Sequence, residues 1–182
     1  MFPEIKYVQL KKIFLIIINY KNIFVKIMKI IGIDPWTTTI WYAVCDRYEK
    51  DFQILDYWVI ETLPNTSLES KLLEIGKDFE VLIKKYQPKR CAIEKLFFNT
   101  NITTWIAVSH ARWVLLYECM KSWIEIYEYA PLQVKKWLTW NGAAKKEQVQ
   151  QALCMLLWLT QIPKPDDAAD ALALAYIWSL KI

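Results

Sequence analysis

A chain of 182 residues is long enough for one domain with a full core. The formal charge of +4 lies wholly in residues 1–27, which hold five lysines and one glutamate, and the remaining 18 basic and 18 acidic residues cancel, so any nucleic-acid surface must be a local patch. Cys45, Cys91, Cys119 and Cys154 lie far apart with no Cys-x-x-Cys spacing, which argues against a zinc site and fits reduced thiols in the cytoplasm.

Residues 1–27 differ from all that follows, since 19 of them are Ile, Lys, Asn, Phe or Tyr, residues that A and T alone can encode. Their longest apolar run, Ile13 to Ile18, is far short of the ~20 residues of a membrane span, and Asn19, Lys21 and Asn22 interrupt it. No small-residue cleavage site of a signal peptide follows. The expectation is a non-native or disordered extension over 1–27, with translation starting at Met28 and a single domain over 28–182.

From Met28 the chain reads as a short β-branched and apolar run through Ile30, Ile31 and Ile33, stopped by Pro35 directly after Asp34. Thr37 to Thr39 then lead into a second apolar run, Ile40 to Cys45, at hairpin distance, and Phe52 to Ile60 continues the meander. Thr66-x-x-Glu69 reads as a capping box opening a helix whose apolar residues keep helical spacing as far as Ile83, with Pro88 as its stop. Cys91 to Ile93 is a buried strand that delivers a second acid, Glu94. Helices are expected over about Thr103 to Lys121, from Pro131 and over Lys145 to Leu159, with a strand at Ile124 to Tyr129 between the first two. Asp166 is placed to cap a last helix running to about Leu180. The pattern is α/β, with five strands and no internal repeat or linker.

Asp167 and Asp170, three apart, project from one face of that last helix. Acids near a helix N-terminus are often only favourable partners of its dipole. Here the neighbouring Ala168, Ala169, Ala171, Ala173 and Ala175 let the helix lie close to a sheet and carry its acids to the strand-end pair Asp34 and Glu94. Four crowded carboxylates repel unless a cation intervenes. Oxygen-only ligation suits Mg²⁺ or Mn²⁺, and two such ions can activate water and stabilise a leaving oxygen in phosphodiester hydrolysis.

Ten tryptophans beside three glycines invert the usual ratio, since a typical domain is about 7% glycine. Trp36 follows Asp-Pro at a turn and Trp140 lies in the turn-like Leu-Thr-Trp-Asn-Gly, both places that suit glycine. The reading is that these tryptophans stand for glycines, in a gene that reads UGA as glycine. With that substitution the segments IIGIDPWTTTIWYAV, CAIEKLFFNTN, HARW, EYAPLQVKK, TWNGAAKKEQVQ and PKPDDAADALALA resemble, in order and spacing, the RuvC family of Holliday-junction resolvases over nearly all of residues 28–178.

The resemblance implies a ribonuclease H-like fold, a five-stranded mixed sheet flanked by helices, in a homodimer. It implies an endonuclease dependent on Mg²⁺, with two ions per site and Mn²⁺ able to substitute, that nicks paired strands of a four-way DNA junction. The family's catalytic and metal-binding acids fall on Asp34, Glu94, Asp167 and Asp170. Its DNA-binding positions fall on Phe97, Arg112, Lys135, Lys136, Lys145 and Lys146, with Lys135 and Lys146 near the reacting group. Handover from the RuvA and RuvB branch-migration complex is implied as well. Trp36, Trp41, Trp113, Trp123 and Trp140 occupy places where the family usually has glycine, whereas Trp58, Trp105, Trp137, Trp158 and Trp178 are less clear.

Several of these residues also have plainer readings. Lys84, Lys85, Lys89 and Arg90 read as a solvated edge; Lys135, Lys136, Lys145 and Lys146 flank the turn Thr139 to Ala143 and could neutralise phosphates beside the acids. Phe97 and Phe98 could be core, although a place directly after a strand-end acid suits Phe97 for stacking. His110, the only histidine, more often serves structure than catalysis on a helix. Two other functions compete: a junction-binding relative without catalysis, which retention of all four acids opposes, and an actin-like or sugar-kinase-like phosphotransferase, which needs two such domains to close around a nucleotide.

Overall fold

A computed structural model describes residues 27–36, 39–49, 51–96 and 102–180. The expected extension, the turn residues Thr37 and Thr38 and the aromatic pair Phe97 and Phe98 fall outside them, apart from Ile27. In chain order the elements are β1 (Met28–Pro35), β2 (Thr39–Tyr48), β3 (Asp51–Glu61), α1 (Leu68–Tyr86), β4 (Arg90–Glu94), α2 (Ile102–Lys121), β5 (Glu125–Tyr129), α3 (Pro131–Thr139), α4 (Lys146–Leu157) and α5 (Asp166–Ser179). The strands form one sheet in the order β3-β2-β1-β4-β5. β1, β2 and β3 pair antiparallel, and β4 and β5 join parallel to β1, which makes the mixed five-stranded sheet that was expected.

Side-chain alternation along β1 assigns its residues to two layers. Ile31 and Ile33 join Ile75 and Phe79 of α1 and Leu115 of α2 on one face of the sheet. Ile30 joins Leu172, Ala175 and Ile177 of α5 on the other. Burial on both faces explains why β1 reads as a continuous apolar run. Each of these large side chains, fully withdrawn from water, contributes about 1.5–3 kcal/mol before entropy is counted.

α5 crosses β1, β2, β3 and β4, and nearly all of it is buried, which its run of alanines and leucines permits. Its approach to β1 is set by Gly32. A Cβ on that residue would stand 2.0 Å from the Ala171 carbonyl oxygen and 2.8 Å from the Ala175 nitrogen. The helix backbone therefore rests directly on the strand backbone, as a glycine inside a strand allows.

Three helix boundaries differ from the sequence reading. α1 is capped by Ser67, whose Oγ accepts from the Ser70 nitrogen at 3.3 Å, while the Thr66 hydroxyl donates to the Leu63 carbonyl. Either hydroxyl can cap; the one whose oxygen reaches a free helix N–H does so. α5 starts with Asp166 as its first residue after Pro165, so that carboxylate sits in the first turn instead of capping it. α4 stops at Leu157, with Trp158 in a left-handed cap. Among the described residues, no helix is long and apolar enough to cross a membrane.

Candidate active site

β1 and β4 run parallel with Ile33 beside Ile93, so the next residue of each, Asp34 and Glu94, ends neighbouring strands at the same level. Alternation sends both acids to the α5 side, since Ile33 and Ile93 face α1 and α2. Carboxyl ends of parallel strands are where α/β sheets present ligands. The first turns of α5 bring Asp167 and Asp170 to the same place. Carboxylate oxygens of Asp34, Asp167 and Asp170 come within 4.8 Å of one another, with Asp34 buried and the other two half-buried.

The electrostatics of this cluster follow from burial and crowding. Asp34 is only 5% exposed. Burial, then repulsion from Glu94 and Asp170, pushes its carboxyl up to about 8, against a bond from the Trp36 indole that pulls it down. Glu94 is raised by burial and by Asp170, while a hydrogen bond with Asp34 and the charge of Lys135 oppose the rise. Asp170 is raised by burial first, with Lys146 opposing. Carboxylates driven toward their neutral form by each other become favourable once a hard cation shares their oxygens. The donor set therefore fits a hard cation, which Asp34, Asp167 and Asp170 would hold with Glu94 beside them.

Lys146, the first residue of α4, closes on the cluster with Nζ 2.9 Å from Asp167 Oδ1 and 3.6 Å from Asp170 Oδ2. Burial alone would lower its ammonium; the bond to Asp167 and the nearby charges outweigh this and raise it. Lys135 acts on Glu94 through its charge, and Lys136 and Lys145 are exposed, in the last turn of α3 and at the cap of α4. Phe97 lies outside the described residues.

Arg112, expected among the DNA-binding residues, lies largely inside the fold. It is 8% exposed. Its Nε donates to the Glu94 carbonyl at 3.2 Å and its guanidinium pairs with Glu128 of β5. A side chain spent in this way braces the end of β4 from the α2 side. His110 is exposed on α2, in the layer opposite α5. On the basic edge Lys84 pairs with Glu80, Lys85 with Asp56 and the half-buried Arg90 with Glu125, while Lys89 is exposed.

Two contributors to the site, Gly32 and Glu128, were not singled out from the sequence, and a third, Trp36, was read as a stand-in for glycine without its bond to Asp34. Gly32 admits α5, and its signal was a glycine two residues before a strand-end acid in a chain with only three. Glu128 fixes Arg112, and nothing local announces a pairing across two elements. The Trp36 Nε1 donates to Asp34 Oδ2 at 3.3 Å, a contact that follows from Trp36 standing two residues past the acid.

The family model described as crossover junction endodeoxyribonuclease RuvC matches residues 30–178. The chain is 47% identical to crossover junction endodeoxyribonuclease RuvC of Alkaliphilus metalliredigens over 148 residues, covering 81% of this chain and 90% of that one. It is 40% identical to the protein of that name from Finegoldia magna, with the same coverage. Thermus thermophilus RuvC, solved also in complex with a Holliday junction substrate, superposes with a TM-score of 0.76 at 28% identity, covering 82% of this chain and 92% of that one. The yeast mitochondrial resolvase Ydc2, at 16% identity and a TM-score of 0.64, shares the fold. By the extent of the match and the identity across it, the chain belongs to the RuvC family of crossover junction endodeoxyribonucleases.

Proposed function

We propose that this chain resolves four-way DNA junctions by metal-dependent phosphodiester hydrolysis. The observation that carries the reading is the convergence of Asp34, Glu94, Asp167 and Asp170 from β1, β4 and α5. Mg²⁺, as two ions per site with Mn²⁺ able to substitute, would supply a water of lowered pKa and positive charge beside the leaving oxygen. The chain's own residues do the rest. Asp34 and Glu94 are fixed by strand ends, so they meet the phosphate with little reorganisation. Lys145 and Lys146 at the N-terminus of α4, with Lys135 and Lys136 on α3, draw phosphates to the acids from one side. Phe97, just past Glu94, is assigned a base-stacking role at the junction. Arg112 is assigned the support of Glu94.

Resolution needs two nicks, and a two-fold dimer supplies two sites. Exposed Leu73 of α1 with Ile106, Tyr117 and Met120 of α2 supports an interface through these helices. Family membership supports delivery of the junction by RuvA and RuvB, and a cytoplasmic place beside the chromosome.

The test is cleavage of a synthetic four-way junction and of linear duplex, with and without Mg²⁺. The junction should be cut, and only with metal. Asp34→Asn, Glu94→Gln, Asp167→Asn and Asp170→Asn should each lose more than about a hundredfold in cutting, beyond what support residues of metal sites lose, while still binding the junction in Ca²⁺. Two amide variants that cut at the parent rate would end the reading.

A further inference from the structure

We propose that Lys146 is an exchangeable internal counter-ion, through which DNA binding and metal binding promote one another. This rests on the metal-site reading above and adds a role for the lysine that the reading does not require.

One ammonium, 2.9 Å from Asp167 and 3.6 Å from Asp170, spans two of the three acids whose oxygens gather within 4.8 Å. It occupies the side of the cluster where a cation would meet those two carboxylates. Both cannot hold the same oxygens at full strength. The lysine is also free to leave: its side chain is 43% exposed, as is that of Asp167, and it projects from the first residue of α4. The backbone there is pinned independently. The Lys145 nitrogen donates to Gln148 Oε1 at 2.9 Å, so the side chain can swing without unwinding the helix.

The start of α4 is a poor place for two lysines and a good one for a phosphate. Helix N-termini carry partial positive charge, which disfavours cations and attracts anions. Lys145 is exposed beside Lys146. A DNA phosphate arriving at this end relieves the charge conflict and offers Lys146 a partner other than Asp167 and Asp170. Those acids are then left with two uncompensated negative charges, which raises their affinity for a divalent cation. By linkage, a cation that displaces Lys146 raises affinity for the phosphate by the same factor. The enzyme on its own would hold metal loosely, and loading would accompany engagement of the strand to be cut.

The test uses the full chain and Ca²⁺ as the probe, followed by titration calorimetry with and without a four-way junction. Lys146→Met keeps the length of the side chain and removes its charge. Without DNA it should bind Ca²⁺ several-fold more tightly than the parent. In the parent, the junction should raise Ca²⁺ affinity by at least about fivefold, the lower end of ordinary couplings, and in Lys146→Met most of that factor should vanish. Lys84→Met, at an exposed ion pair with Glu80 on α1, should bind Ca²⁺ like the parent; tightening there equal to that of Lys146→Met would mean a general field effect and overturn the inference. Equal or weaker Ca²⁺ binding by Lys146→Met, or undiminished coupling, overturns it too. Failure of the underlying reading looks different: Asp34→Asn would bind Ca²⁺ as well as the parent, or parent and Lys146→Met alike would not bind it, and both claims would fall together.

Discussion

The indole nitrogen of Trp36 donates to Oδ2 of Asp34 at 3.3 Å, engaging the most buried of the clustered carboxylates. It uses a lone pair that a cation would otherwise take, and Trp36 itself is 47% exposed just beyond Pro35. The backbone turn beneath it is held separately, by the Trp36 nitrogen donating to the Thr39 carbonyl at 3.1 Å. Trp36→Phe should remove the donor and keep the bulk, tightening cation binding by on the order of 1 kcal/mol, or about fivefold. Trp36→Gly should do the same and also open access, so cutting rises further. Calorimetry with Ca²⁺ beside junction cleavage in Mg²⁺ checks both, and unchanged affinity in Trp36→Phe would show that the bond is incidental.

Three other tryptophans stand where the backbone asks for glycine. Trp123, Trp140 and Trp158 have φ of 56°, 59° and 53°, and these residues are 92%, 90% and 92% exposed. Trp140 and Trp158 occupy the left-handed cap positions of α3 and α4, which glycine favours. Glycine at each should raise stability by about 1 kcal/mol, read as a higher denaturant midpoint. Trp178 is the opposite case: it is 4% exposed, its ring meets Tyr127, and Arg90 lies over it. Trp178→Gly should cost about 3–5 kcal/mol through the cavity left behind. UGA at the Trp36, Trp41, Trp113, Trp123 and Trp140 codons would establish the reassignment directly; UGG there would dispose of it.

The raised carboxyls set a pH dependence with a definite sign. A carboxyl whose folded pKa lies above its unfolded one binds more protons in the folded state, so stability falls as pH climbs between the two values. For Asp34 that window runs from about 3.8 to about 8. Metal-free protein should therefore lose stability from the site as pH rises through this range, with Glu94 and Asp170 adding in the same direction. A divalent cation reverses the balance, because its binding releases protons. Thermal unfolding at pH 6 and pH 8 should show a larger Ca²⁺-induced rise in Tm at the higher pH, and an increment that shrinks with pH would contradict the cluster as described.

Met28 opens β1 with its side chain buried, paired in register with Arg47. We propose that the domain starts there, and that a chain beginning at Met28 keeps the denaturant midpoint and the cleavage rate of the full chain. A drop in either measurement would assign residues 1–27 a part in the domain.

The strand-end acids were legible because each follows a short run of buried apolar residues, and both the strand and its end are written locally. Asp167 and Asp170 were legible from their spacing and from the alanines around them. What escaped was whatever depends on a partner far along the chain. Arg112 could be placed on a helix, yet its direction is set by Glu128 and by the Glu94 carbonyl, which only the parallel pairing of β4 and β5 brings together. The choice between Thr66 and Ser67 as cap escaped for a smaller reason, since two neighbouring hydroxyls satisfy the same pattern and only the path of the chain out of β3 separates them.

The contact of Gly32 with Ala171 and Ala175 makes β1 and α5 behave as the two jaws of a caliper closed to its stop. Side chains between packed elements can change rotamer and let the elements drift; bare backbone against bare backbone has no such slack. The gap from Asp34, two residues past Gly32, to Asp170, next to Ala171, inherits that setting, and Asp167 lies a turn away on the same helix. A single added methyl at position 32 would pry the jaws apart by more than an ångström, and the loss would register at the acids before it registered anywhere on the surface.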